Sequence, residues 1–372
     1  MRVLILTSSG GTAHDSAAYA LRSWLEKWDS NNVVHVEHLL ENSGPVMRSS
    51  VNLYNWIQKF FPWLHQIYWR LVELEDLIKL GTVIFGRSYY VKTIKRFKPD
   101  LIISTHPHIN RGHFNLAKKI NKNDLRTITC CTELDGGFGF SRNWVSCKAD
   151  RFWALTNEVA IEVSKRGYNS RNIFLAGPLF DPEFTTELIN NPHDLPSKTD
   201  LPILILGSGA NGSNNHLKLL ENLLPLAGRI KVIALCGRRI STKKLLEHWK
   251  EQNPSLSLQV LGFQSPGQMA AIYKKAWAMV ARPGARTATE ALAAGCVLIF
   301  NTFGTAMPQE LLARRYFSAR GIDVNFNKSF ELLKIIQTWL NYPSEYSQLK
   351  QRYKSNQLKT NIDEIKTLIY ES

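Results

Sequence analysis

"VARPGARTATEALAAGC", residues Val280–Cys296, is the stretch whose reading decides the fold. An apolar run stops at Arg282-Pro283-Gly284 and an alanine-rich helical pattern begins at once. Strand, tight polar turn and helix make half of a βαβ unit, because a parallel strand must be reached by a crossover helix. Thr287-x-x-Glu290 fits a capping box, with the threonine bonding an exposed N–H and the glutamate reaching back. Gly295 can then end the helix. Capping leaves Arg282, Pro283, Gly284 and Arg286 without a task. They sit where a strand meets a helix N-terminus, a place whose free N–H groups and dipole favour phosphate.

The same alternation runs outward in both directions. Val3–Leu6, Val33–Val36, "PDLIISTHPH", "RTITCCTEL" and "DRFWALT" read as short buried strands with helical patterns between them. "ILILG", "KVIALCG", "LQVLGF", "WAMVAR" and "CVLIF" form a second series. Strands separated by helices predict parallel sheets covered on both faces. Between the series lies the polar, proline-containing Asn190–Pro202, which predicts a linker. The expected organisation is an α/β first domain over 1–189, a linker over 190–202, a second α/β domain over 203–343, and one polar helical stretch over 344–372 packing back on the first domain.

Two glycine loops open these domains, "SSGGTAH" with Gly10 and Gly11, and "LGSGANG" with Ser208 and Gly209. Gly207-x-Gly209-x-x-Gly212 also satisfies the dinucleotide pattern, which normally has an acidic residue about 20 positions on. Here "ALCGRR" offers Arg238 and Arg239, so an NADP-dependent enzyme stays open. His14 lies at the mouth of the helix after the first loop, where the dipole disfavours a cation and keeps the imidazole neutral, as a general base requires. His106, Glu133 and Asp135 follow strand ends on the same rim; each alone reads as a loop or capping residue before a catalytic one.

The chain has 372 residues, 44% hydrophobic, with Lys+Arg 46 against Asp+Glu 31, a net charge of +15. That bias points to an acidic partner: nucleic acid, anionic lipid or a phosphorylated substrate. No recognised nucleic-acid module accompanies it, and nucleic acid is not expected as a partner. Five cysteines with no CxxC pair and no zinc spacing predict reduced thiols and no metal site. The opening apolar run is too short for a signal peptide, and no run reaches about 18 apolar residues, the length of a membrane span. The expectation is a cytoplasmic chain, or one peripheral on the cytosolic face of a membrane.

Residues 51–98 stand apart. Tyr54, Trp56, Phe60, Phe61, Trp63, Tyr68 and Trp69 surround Pro62, and Arg87, Lys92, Lys95, Arg96 and Lys98 follow with no acidic residue between them. Aromatic rings beside a basic run suit the headgroup region of an anionic membrane. An insertion helix packed on its own domain with a solvated basic end fits the same letters.

"GFQSPGQMAAIYKKAWAMVARPGARTATEALAAG" resembles the donor half of glycosyltransferase family 28 through Phe263, Met269-Ala270-Ala271, Tyr273, Arg282, Gly284-Ala285, Thr287, Glu290 and Ala293-Ala294-Gly295. "SSGGTAH" is similar to the family's N-terminal glycine loop with its histidine. "CTELDG" and "STHP" are similar to motifs of its diacylglycerol branch, and "AMPQE" to the segment that holds donor sugar hydroxyls. The resemblance implies a GT-B fold, two Rossmann-like parallel-sheet domains facing across a cleft. It implies an inverting transfer of a hexose from a UDP-sugar to a lipid hydroxyl, with no metal or other cofactor. Carried over residue by residue, Phe263 lines the uracil slot and Glu290 binds ribose. Ser208, Gly209, Gly284, Ala285 and Thr287 lie at the phosphates, Gln309 and Glu310 at the sugar, and Arg282 belongs to the donor site. His14 is the base or positioner, with Glu133 beside it and Gly10, Gly11, His106 and Asp135 on the acceptor side. The branch usually has three glycines before its histidine and an aspartate where Glu133 stands. Such loosened loops leave room for a non-catalytic scaffold of the same fold that recruits a partner to the membrane.

Overall fold

The computed structural model describes residues 1–371 apart from 10–11, 61–63, 65–66, 68–69, 71–82, 84, 122–124, 147–148, 191–199, 209–214 and 304–305. Contacts divide the chain into two units, one of Met1–Pro182 with Met307–Leu312 and Lys359–Ser372, the other of Glu183–Ala306 with Ala313–Leu358.

The first unit carries a six-stranded parallel sheet of β1 (Arg2–Thr7), β2 (Val33–His38), β3 (Leu101–Ser104), β4 (Arg126–Cys130), β5 (Arg151–Ala154) and β6 (Ile173–Leu175). Its order is β2-β1-β3-β4-β5-β6. Alternation along the strands builds a core on each face. Val3, Ile5, Leu101 and Ile103 pack with Leu21 and Leu25 of the Thr12–Trp28 helix. Leu4, Leu6 and Ile102 turn the other way, onto Tyr90, Ile94, Phe114 and Ala117. Each such aliphatic side chain contributes roughly 1.5–3 kcal/mol when fully buried. β6 is an edge strand of three residues, too short to register as an apolar run.

The second unit repeats the design with β7 (Ile203–Leu206), β8 (Lys231–Leu235), β9 (Ser257–Leu261), β10 (Ala278–Ala281), β11 (Val297–Asn301) and β12 (Val324–Phe326), in the order β12-β11-β10-β7-β8-β9. All its pairings are parallel. In both sheets the first strand has its successors on one side and later strands on the other. The order therefore reverses beside β1, against β3, and beside β7, against β10. Loops leave such a point in opposite directions and open a crevice at the strands' carboxyl ends, where ligands of open α/β sheets bind.

The end of the chain departs from the single helix expected over 344–372. It forms two helices, Pro343–Ser355 and Ile362–Tyr370. The former stays in the second unit, where the buried Tyr353 hydroxyl accepts from the Leu298 N–H at 3.0 Å. Only the latter joins the first unit, burying Ile365, Leu368 and Ile369 on the face lined by Val3 and Ile5. Pro343 and the two polar turns after it gave no sign of the break at Asn356–Asn361. The first unit also takes up Met307–Leu312, inside the span expected to belong wholly to the second; Leu312 is apolar and enters the core with Leu4 and Leu6. The linker expected over 190–202 falls mostly outside the described residues, as do Phe61, Pro62, Trp63, Tyr68 and Trp69. Among the described residues no helix is long and apolar enough to cross a membrane.

Gly177 follows β6 and packs against the Lys359–Thr360 segment that leads into the final helix. Its φ is +71°, and a Cβ there would sit 2.3 Å from the Lys359 carbonyl oxygen. Gly177→Ala is expected to destabilise the protein by at least about 2 kcal/mol, from the left-handed backbone and the clash with immovable main chain. Urea unfolding monitored by tryptophan fluorescence measures it, and an unchanged midpoint would contradict this account.

Candidate active site

At the reversal point of the first sheet, the loop after β1 leads into the Thr12–Trp28 helix, and β3 ends at Ser104. His14, third residue of that helix, faces the segment after β3. Its Nδ1 lies 2.7 Å from the Thr105 carbonyl oxygen and 3.2 Å from Thr132 Oγ1. A carbonyl oxygen can only accept, so Nδ1 carries the proton and Nε2 keeps its lone pair. Burial pushes the His14 pKa down to about 4, against the Thr105 bond, which raises it, and with help from nearby His108. The imidazole is thus neutral at physiological pH. The sequence argument credited the helix dipole for this; the larger cause is burial.

The ring stands edge-on to His106, centroids 4.6 Å apart, and tilted against buried Trp144 at 5.8 Å. His106 is itself buried, and burial first, then His14 and His108, hold its pKa well below the usual histidine range. Its Nδ1 accepts from the His108 N–H at 3.3 Å, which leaves the proton of the neutral ring on Nε2. Glu133 follows β4 next to Thr132, and burial raises its carboxyl to about 8, so it is neutral at pH 7. Asp135 Oδ1 accepts from the N–H of Gly136 at 2.8 Å. The structure therefore gathers His14, His106 and, through Thr132, the Glu133 segment at one crevice. Gly10 and Gly11 lie outside the described residues. Sequence reasoning missed Thr105, Thr132, His108 and Trp144. The first three stand just past strand ends, the position that could have flagged them.

At the reversal point of the second sheet, Ser208 follows β7 and Arg282-Pro283-Gly284 follow β10. The capping box inferred for Thr287 and Glu290 is not formed. The helix spans Ala285–Ala293, with Gly284 as its N-cap and no side-chain cap. Thr287 is its third residue, and the first helical bond runs from Ala288 N–H to Gly284 O at 3.0 Å. The Ala285, Arg286 and Thr287 N–H groups therefore have no carbonyl of their own helix to bond. The other end is as expected: Gly295 has φ +62°, and the Gly295 and Cys296 N–H groups close on Leu292 and Ala291 at 3.1 and 2.8 Å.

Ser208 Oγ is buried without a hydrogen-bond partner. A Cβ on Gly284 would meet nothing within 4 Å, so the protein's own packing does not demand glycine there. Arg282 Nη1 donates to the Phe303 carbonyl at 2.6 Å. Glu290 reaches neither backbone nor solvent freely: Oε1 accepts from Arg286 Nε at 2.8 Å and Oε2 from the Tyr273 hydroxyl at 3.2 Å. An orphaned hydroxyl, an uncapped helix start and a fixed carboxylate fit the diphosphate and ribose of a nucleotide.

Phe263 follows β9, three strands from β10, and is 59% exposed with the Arg238 guanidinium 4.6 Å above its ring. Gln309 and Glu310 fall in the first unit. Gln309 Nε2 donates to Tyr54 Oη at 2.9 Å while its Oε1 is buried and unpartnered. Glu310 Oε2 accepts from the Met307 N–H at 2.9 Å, at the start of the Glu310–Ser318 helix. Gly209 lies outside the described residues.

Two family models match the chain. Residues 14–179 match monogalactosyldiacylglycerol synthase, and 203–368 match the glycosyltransferase family 28 C-terminal domain. The chain belongs to glycosyltransferase family 28. The NADP reading of the glycine loop falls with that membership, and Arg238, its possible phosphate ligand, rests on Phe263 instead. The transferase is similar to a processive diacylglycerol β-glucosyltransferase of Bacillus licheniformis, 24% identical over 99% of this chain and 94% of the relative. Among solved structures it is similar to Acinetobacter baumannii MurG, TM-score 0.60, 14% identical, covering 99% of this chain and 98% of the other. Neisseria meningitidis UDP-GlcNAc 2-epimerase bound to UDP-GlcNAc also matches, TM-score 0.58, 12% identical, covering 100% of both chains. These likenesses establish the GT-B architecture. An epimerase shares it, so the fold does not by itself choose the reaction.

Glu133 has a pH signature. Its folded pKa of about 8 lies above the ordinary 4.5. The stability of its neutral form relative to an ionised one is complete below about pH 4.5 and is lost as pH rises through about 8. Glu133→Gln is expected to flatten the decline in melting temperature between those values; a variant that declines as steeply as the parent would refute the assignment.

Proposed function

We propose that this transferase moves a hexose from a UDP-sugar to a hydroxyl of a diacylglycerol-type lipid, with inversion at the anomeric carbon, at the face of an anionic membrane. The observation that carries the reading is the state of His14: neutral, its Nδ1–H fixed on the Thr105 carbonyl, its Nε2 free to accept a proton. Similarity to diacylglycerol β-glucosyltransferases supports the lipid acceptor. A β-glycoside made from an α-linked nucleotide sugar requires inversion, and so a single displacement.

In that step the acceptor hydroxyl gives its proton to His14 Nε2 as its oxygen bonds the anomeric carbon. The bond from that carbon to the β-phosphate oxygen breaks, and UDP leaves with the electron pair. Its charge meets the N–H groups of Ala285, Arg286 and Thr287 and the hydroxyl of Ser208; Glu290 takes the ribose diol, and Phe263 the uracil. Gln309 and Glu310 are assigned the donor sugar. Such preorganised dipoles are commonly the largest contribution to a transfer of this type, and the proposal calls on no metal. Neutral Glu133 can donate a hydrogen bond on the acceptor side, where an ionised carboxylate would repel the leaving charge.

Release of UDP from a panel of UDP-sugars with diacylglycerol vesicles tests the reading; intact protein that releases none with any pair would end it. His14→Ala is expected to keep UDP binding and lose about 10²–10⁴-fold in turnover. With His14 as the base, activity rises with pH through about 4 rather than through the ordinary 6.5. Turnover unchanged by the substitution would remove His14 from the mechanism.

Attachment is assigned to residues 51–98, peripheral and on the cytosolic face. Leu53 and Trp56 are exposed on the Pro45–Phe60 helix, as is Phe85 before the Arg87–Phe97 helix, which has no acidic residue. Co-sedimentation with phosphatidylglycerol vesicles is expected at low salt and should weaken several-fold between 50 and 200 mM salt, a range over which screening of surface charge deepens by about a factor of two in length. Equal sedimentation with neutral vesicles would refute an electrostatic contribution.

A further inference from the structure

The carboxylate assigned to ribose is held from outside its own helix. Tyr273 comes from the Pro266–Lys275 helix, whose N-terminus is fixed by a capping box between Ser265 and Gln268. Its ring is 1% exposed and stands edge-on to buried Phe184 at 6.2 Å. From that fixed place its hydroxyl bonds Glu290 Oε2 at 3.2 Å, while Arg286, one turn back on the Ala285–Ala293 helix, bonds Oε1 at 2.8 Å. A glutamate in a helix ordinarily samples several rotamers. Here both oxygens are tethered in different directions, which fixes the plane of the carboxylate and leaves each oxygen a further lone pair.

We infer that Tyr273 is a positioning residue for donor recognition: with Arg286 it orients the Glu290 carboxylate so that the site selects ribonucleotide over 2′-deoxyribonucleotide donors. The inference rests on the assignment of Glu290 to ribose and deepens it. A freely rotating carboxylate can accept one hydroxyl in many poses, whereas two neighbouring hydroxyls of one ring demand a single plane. The phenol is suited to the task. Burial, then the charge of Glu290, hold its pKa well above the usual tyrosine range, so it remains a donor at every pH the protein meets. Arg286 is a second, independent tether, on the same helix as Glu290 and with its side chain 35% exposed.

The test is calorimetric titration of the full chain with UDP and with 2′-deoxy-UDP. The parent is expected to prefer UDP by at least about 10-fold, the value of one hydrogen bond to a charged group. Tyr273→Phe keeps the ring and removes only the hydroxyl. It is expected to weaken UDP about 3–10-fold, leave 2′-deoxy-UDP unchanged, and so erase most of the preference, raising the KM for donor with little change in kcat. Glu290→Gln should erase the same preference, and adding Tyr273→Phe to it should change nothing further. Arg286→Ala gives the same reading from the other oxygen if the tyrosine variant does not fold. Equal weakening of both nucleotides, or a preference that survives Tyr273→Phe, would overturn the inference. A folded parent that binds UDP and shows no preference would overturn the assignment of Glu290 to ribose, and a folded parent that binds no UDP would overturn the donor site altogether.

Discussion

In each sheet the first strand is gripped by parallel partners on both sides, and everything functional follows from that arrangement. β1 pairs with β2 and β3, and β7 with β8 and β10. Parallel partners oblige every connection to cross a face and return, so all strand ends of one kind line one edge. Where the order reverses, two loops leave in opposite directions and a gap opens between them. Histidine and glutamate clusters occupy one such gap, and an uncapped helix start the other. In the function proposed above, the chain uses the same topological opportunity twice, for opposite chemistries: proton acceptance in the first unit and anion binding in the second.

The two sites are also opposite in how they treat solvent. In the first, burial keeps His14, His106 and Glu133 all uncharged, although two are bases and one an acid. A neutral crevice suits a hydroxyl nucleophile arriving on a lipid, because no fixed charge has to be stripped of water as it enters. In the second, charge is kept but immobilised: Glu290 between Tyr273 and Arg286, Arg238 over Phe263, Arg282 on the Phe303 carbonyl. Side chains that do not need to reorganise when an anion arrives, or when its charge grows, lose less free energy in the process.

Much of this was legible in the letters because buried parallel strands are nearly continuous apolar runs, and ten of the twelve among the described residues were read from that signal alone. The two missed, β6 and β12, have three residues each at sheet edges, below the length at which a run stands out. Strand ends pointed to His14, His106 and Ser208, since position relative to a strand is a property of sequence, whereas Glu290 was reached through its capping-box spacing and the family resemblance. What sequence could not give was the partner of each group. Thr287 and Glu290 have the spacing of a capping box, yet the helix begins two residues before Thr287 and the glutamate turns to a tyrosine seventeen residues away. A local rule was satisfied by the letters and overridden by a tertiary contact. Likewise the dipole argument for His14 reached a neutral ring, but burial, invisible in a one-dimensional reading, is the stronger cause.

The Ile362–Tyr370 helix has a consequence in time as well as in space. Ile365, Leu368 and Ile369 roof the face of the first sheet on which Val3 and Ile5 lie, and they follow the whole second unit along the chain. While the second unit is being synthesised, that face of the nascent first unit stays open to water, its aliphatic strands uncovered. The core of the first unit is thus completed only after the second has been made, and synthesis that stalls before Ile362 leaves β1 and β3 exposed on that face.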